Sequence, residues 1–293
     1  MITFRYHVVS LAAALLSLAV GVVLGAGFLD SPAETSDSNG EPVAVADPSI
    51  AAFEAGYADR TAPVLLKNQL DGESVLVITA PGANAADIKG VTSSLGEAGA
   101  DVVGQVGLTT KLLDPGGRQF AEGVAQQVGE DVPGITSSGD SYARIGAVIA
   151  RGLVAGKTSD VDEAATTLRT AFAEGDLLSL DKDPTKRASL VVIITGPRTS
   201  TSQDQGVSIA GIAASIDTSS KGVVVAGPSS ASESGGTVAT LRDDDQSRTL
   251  STVDVVDSAA GRVVVALALV AEAKGQPGQW GTSRSADGAV PKG

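Results

Sequence analysis

Three loops rich in Gly and Pro follow the most apolar stretches of this 293-residue chain: Thr79-Ala80-Pro81-Gly82, Thr195-Gly196-Pro197 and Ala226-Gly227-Pro228-Ser229. Ligands of open α/β sheets bind outside the carboxyl ends of the strands. Thr79, Pro81, Thr195, Pro197, Gly227 and Ser229 therefore form the candidate strand-end pocket. Gly and Pro are also ordinary turn residues, and no general acid or base accompanies these loops. Turn chemistry accounts for them without a ligand, and a binding pocket is the alternative.

Other constellations fail by inventory. The chain has no Cys, and its single His and single Met are His7 and Met1. Disulfides, thiol nucleophiles, a Ser-His-Asp triad beyond residue 7 and His/Cys/Met metal sites are excluded there. Arg151-Gly-Leu-Val-Ala-Gly156-Lys157-Thr158 falls short of a phosphate-binding loop: Arg151 stands where the first glycine belongs, and the stretch follows a helical pattern rather than a strand. Gly156 reads instead as a helix C-cap. Asp243-Asp244-Asp245 and Asp181/Asp183 lack the spacing of a calcium loop and read as solvated loop charge. No catalytic residue and no cofactor follow from the sequence, no metal ligand is assigned, and the expectation is a non-enzyme.

The elements that position the three loops are short, buried strands. Ser74–Thr79 and Leu190–Thr195 are continuous apolar runs rich in β-branched residues, as in strands covered on both faces. Each opens a β-α-β unit. Asn84 caps a helix toward Gly99, before a strand at 101–106; 204–216 is the second helix, before a strand at 222–226. Val75–Pro81 and Val191–Pro197 resemble each other, through internal duplication or because buried parallel strands look alike. Residues 119–128, 141–154 and 161–172 read as helices, the last with Ser159 and Asp162 as its capping box. A last strand at 249–254 and a helix at 258–274 follow. Residues 48–70 suggest one or two helical turns broken at Pro63.

The amino terminus is different. Residues 8–29 carry no charge, and their only polar side chains are Ser10 and Ser17. A helix of about 22 residues is roughly 33 Å long, enough to cross a hydrocarbon core of about 30 Å. Arg5 precedes the run, whereas Asp30, Glu34, Asp37 and Glu41 follow it, which places the rest of the chain outside the cytoplasm. The run is longer than a secretory signal and lacks an A-x-A cleavage site, so an uncleaved anchor is expected over a cleaved signal. Ala13, Ser17, Gly21 and Gly25 recur every four residues, a ridge that suits helix–helix packing or reflects the ordinary composition of membrane helices.

The organisation expected is a signal anchor over 1–29, a disordered acidic linker over 30–48, an extracytoplasmic domain over 49–275 and a loop-like C-terminal tail over 276–293. The fold class is α/β: an N-terminal transmembrane helix, then a Rossmann-like domain with a mostly parallel sheet and helices on both faces. The net charge of −13 disfavours nucleic acid as a partner. The partners expected are the lipid bilayer and further copies of the chain, as a homo-oligomer.

Two stretches carry a family resemblance. FRYHVVSLAAALLSLAVGVVLGAG resembles the start of the copper transport protein B (MctB) family of actinobacterial envelopes. Ser251-Thr-Val-Asp254-Val-Val-Asp257-Ser258-Ala-Ala-Gly261-Arg262, followed by an Ala/Leu helix and Gly278-Gln-Trp280-Gly281, resembles its end. GESVLVITAPGANAADI and GADVVGQVGLT fit the middle. The resemblance implies copper homeostasis and efflux, copper ions as a partner, a pore-forming role and an outer-membrane location. An acidic linker stands here where that family carries a coiled coil, and Val255 and Trp280 stand where Asn and Tyr are expected.

Overall fold

The computed structural model describes residues 47–292, except 131, 136–138, 156–158, 245–246 and 248. The expected anchor with Ala13, Ser17, Gly21 and Gly25, the linker up to residue 46, the C-cap at Gly156 and Asp245 lie outside the described residues.

Among the described residues, seven strands form one sheet. They are β1 (Ser74–Thr79), β2 (Asp101–Leu108), β3 (Leu178–Lys182), β4 (Leu190–Ile194), β5 (Val223–Ala226), β6 (Ser251–Val253) and β7 (Gln279–Trp280), in the order β3-β2-β1-β4-β5-β6-β7. Every pairing is parallel except β2 with β3. β1 and β4 are neighbours at the centre, with Val75 opposite Leu190 and Thr79 opposite Ile194. Both are buried along their whole length, as their unbroken apolar runs require.

Alternate residues of these strands serve two cores. Leu76, Ile78, Val191 and Ile193 face one core, and Val75, Val77, Val192 and Ile194 face the other. The first core is closed by α4 (Arg118–Gly129), α5 (Ser141–Leu153), α6 (Glu163–Glu174) and α7 (Ser202–Asp217), with the short α3 (Thr110–Leu113) beside them. The second is closed by α1 (Pro48–Leu65), α2 (Ala85–Glu97) and α9 (Ala259–Ala273). α8 (Thr237–Asp243) precedes β6. The mixed α/β architecture with a mostly parallel sheet matches the expectation.

Several local expectations change. α1 runs unbroken from Pro48 to Leu65 through Pro63, which removes one amide from the hydrogen-bond ladder, the one facing the Asp59 carbonyl, without ending the helix. It begins at Pro48, capped by Asp47, inside the span read as linker. Asp162, not Ser159, is the N-cap of α6, accepting from the Ala165 amide at 2.8 Å. β3 is a short, partly charged antiparallel edge strand, the kind of edge that resists pairing with other chains. Its five residues carry too little periodicity to be read from sequence. Residues 279–280, read within a loop-like tail, add the seventh strand.

Candidate functional site

β1 is the point where the sheet order reverses. Its crossover through α2 leads to β2 on one side, and β4 lies on the other. The crevice at the carboxyl ends of β1 and β4 is therefore where an α/β sheet offers a binding site. It is lined by Ala80, Pro81, Thr195, Gly196, Pro197 and Ser202, with a volume of about 100 Å³. Ligand pockets are usually about 300–1,000 Å³, so this one suits a few water molecules or a very small ion.

The loops themselves close it. Gly82 holds φ +80°, a left-handed turn that favours glycine, and a Cβ on Gly196 would lie 2.7 Å from the Gly82 carbonyl carbon. The two loops touch backbone to backbone. Pro81 and Thr195 line the crevice with Pro197. Thr195 is buried and its hydroxyl reaches the Ala226 carbonyl at 3.4 Å. Thr79 is buried in β1 beside Gly107. Gly227 and Ser229 do not line the crevice: Gly227 packs against Ala231 and Val238, and the Ser229 hydroxyl donates to Asp257 at 3.1–3.2 Å. The crevice thus unites three of the six candidate loop positions, Pro81, Thr195 and Pro197, and it holds hydroxyls but no carboxylate, amine or imidazole.

The charged chemistry lies elsewhere. Asp254, at the end of β6, has no solvent exposure and accepts from Arg242 Nη1 at 2.7 Å, the Thr282 amide at 2.8 Å and the Ser283 hydroxyl at 2.6 Å. Burial pushes its carboxyl up, but these donors and the guanidinium outweigh burial and hold it below the ordinary range. Arg242 also donates to the Trp280 carbonyl at 3.0 Å and to Ser283. Together they clamp α8, β6 and the tail.

The stretch Ser251–Arg262 proves to be a joint of the fold. Asp257 receives Ser229, Ser258 caps α9 through the Gly261 amide at 2.9 Å, and Gly261 presses on the Val255 carbonyl too closely for any side chain. Arg262 donates to the Val256 carbonyl at 3.1 Å and approaches Asp87 of α2 at 3.6 Å. The polar residues of the stretch tie it to α8, α2, the tail and the Ser229 loop, which gives a physical reason for its distinctive pattern.

At the opposite, amino-terminal end of β6, Glu272 of α9 is almost fully buried and accepts from the Ser251 amide at 2.7 Å. Burial pushes its carboxyl up to about 7, hydrogen bonds from Ser251 lower it, and nearby Asp217 raises it. Asp217 is itself raised by burial. Neither carboxylate carries a sequence signal, because their burial follows from packing against β5 and β6. A larger depression of about 500 Å³ between α4 and α5 is edged by the Arg144–Glu122 ion pair, which the sequence also leaves unmarked. Among the described residues, no group of three or more His, Cys, Asp or Glu could hold a metal ion, and no helix is long and apolar enough to cross a membrane.

Comparison with known proteins adds the remaining constraint. Residues 1–291 match the family described as copper transport outer membrane protein, MctB. The chain is 29% identical over 321 residues to the copper transporter MctB of Mycobacterium tuberculosis (strain ATCC 25618 / H37Rv), covering 98% of both chains. It is 27% identical over 314 residues to the copper transporter MctB of Mycobacterium leprae (strain TN), again covering 98% of both.

Proposed function

This chain belongs to the family described as copper transport outer membrane protein, MctB, and from that premise we propose that it is a non-catalytic, membrane-anchored protein of copper efflux and homeostasis across the cell envelope. The match over residues 1–291 is the observation that carries the reading. Copper is its cargo. The uncharged run 8–29 is the single-pass anchor, and the acidic flank that follows it puts the α/β domain outside the cytoplasm, in the envelope, with the outer membrane as the location that the family's description names.

The architecture supports a division of labour. The described domain buries both faces of its sheet under helices, so its strands have no face to offer lipid. Membrane contact falls to residues 8–29. One apolar run of about 22 residues cannot enclose a path by itself, so the pore-forming role belongs to an assembly of several copies. Soft donors for Cu(I) are His7 and Met1 alone, both at the membrane end of the chain.

Deleting the gene is expected to raise cell copper and lower copper tolerance, and the full chain is expected to restore both. Unchanged copper content under copper stress would overturn the copper reading. A second reading, an envelope scaffold that assembles with itself, is favoured by the outward apolar face of α1. It predicts normal copper handling together with loss of a membrane complex.

A further inference from the structure

Helix α1 carries its apolar residues on the unexpected side. Its buried face is Ala58 and Ala62, continued by Leu66, while Ile50, Phe53, Tyr57 and Val64 stand 65%, 74%, 62% and 79% exposed. A helix serving only its own domain turns large side chains inward and leaves alanines outside. α1 is nevertheless firmly seated. Glu54 Oε1 accepts the Ala260 amide at 2.9 Å, at the first turn of α9, and the alanines pack on the α9 side of the core. The outward stripe is therefore presented by a fixed helix.

At 3.6 residues per turn, Ile50, Phe53, Tyr57 and Val64 fall within an arc of about 60°. Their spacing alternates between three and four, with Arg60 completing the series, which is the seam of a paired helix. Phe53 and Tyr57 stack with ring centroids 6.4 Å apart, making one aromatic plateau. Contiguous exposed apolar surface of this kind marks an interaction site.

We propose that this stripe pairs with the same stripe of a second copy, antiparallel, about a two-fold axis through Tyr57. Tyr57 lies midway between Ile50 and Val64, so the two-fold sets Ile50 of one copy against Val64 of the other and Phe53 against Arg60 and Thr61. A guanidinium over an aromatic face is attractive. The parallel alternative stacks Arg60 on Arg60 in the seam, which like charge opposes. The same patch serves both copies, as a two-fold interface requires.

The four side chains cover on the order of 400 Å² per copy, about half of what a free-standing complex uses on each partner. The contact therefore needs copies held close together. Its strength, though not its geometry, rests on the anchor of the proposed function, because a shared membrane raises the effective concentration.

The absence of Cys makes the test free of background. Full-length Tyr57→Cys in isolated membranes is expected to form a disulfide-linked dimer under mild oxidation. Ile50→Cys co-expressed with Val64→Cys is expected to cross-link, and Ile50→Cys alone is not, since two antiparallel Ile50 positions lie about 20 Å apart. Asp59→Cys, on the exposed far side, stays monomeric. Adding Val64→Asp to Tyr57→Cys lowers the dimer yield several-fold. No dimer at Tyr57→Cys, as when lipid or the chain's own residues 8–29 cover the stripe, overturns the proposal. Dimers of Ile50→Cys alone overturn its antiparallel geometry. Carbonate-resistant pelleting of the same samples reports the anchor separately, so failure of the tether and failure of the helix contact are distinguishable.

Discussion

Arg242 and Asp254 meet at 2.7 Å with side chains only 3% and 0% exposed. The pair joins α8 to the end of β6, and the peptide groups of Trp280 and Thr282 close over it. Two opposite charges in so dry a place stabilise each other only because each makes further hydrogen bonds, the guanidinium to Thr252, the Trp280 carbonyl and Ser283, the carboxylate from the Thr282 amide and the Ser283 hydroxyl. Removing one partner strands the other.

Asp254→Ala or Arg242→Ala is therefore expected to cost about 3–5 kcal/mol of unfolding free energy. Trp280, the chain's single tryptophan, sits in β7 beside the pair and reports on it. Its emission should move to the red in either variant before global unfolding, as the tail leaves the sheet. Urea titration followed by tryptophan fluorescence checks both effects. A wild-type emission maximum with unchanged stability would show that the clamp is dispensable.

Glu272 predicts a slope of opposite sign to that of a paired carboxylate such as Asp254. Its ordinary value is 4.5 and burial lifts it to about 7 in the folded chain. Between these values the folded state keeps a proton that the unfolded state has released, so stability falls as pH rises and levels off above about 7. The loss reaches about 3 kcal/mol at most. Glu272→Gln should remove this slope and gain on the parent between pH 5 and pH 8. Parallel unfolding profiles for the two proteins would refute the assignment.

Copper retention should be weak and confined to the amino terminus. Residues 47–292 contain no Cys, His or Met, and hard oxygen donors hold Cu(I) poorly. Competition with a Cu(I) chelator is expected to strip copper from His7→Ala protein more readily than from the parent. Equal retention by both would place the metal on oxygen ligands of the domain.

Much of the fold was legible because it depends on local pattern. Ser74–Thr79 and Leu190–Ile194 are strands in the structure as their apolar, β-branched runs imply, and Asn84 caps α2 through the Ala86 amide at 2.7 Å. The edge strand β3 and the two residues of β7 were not legible, since segments so short acquire their state from the neighbour they pair with. The candidate crevice was half legible. Its place follows from strand order, but its small size depends on Gly82 and Gly196 touching across more than a hundred residues of chain.

By itself the sequence determined the class of the fold, the buried strands, the uncharged run 8–29 and the absence of thiol and imidazole chemistry beyond residue 7. These are matters of composition and of spacing within one element. Only the tertiary structure decided that Asp254 would find Arg242 and the tail, that Glu272 would lie buried near Asp217, and that α1 would turn its alanines inward and its aromatics out. Those outcomes depend on which elements become neighbours, and long-range packing sets them after local pattern has chosen helix or strand.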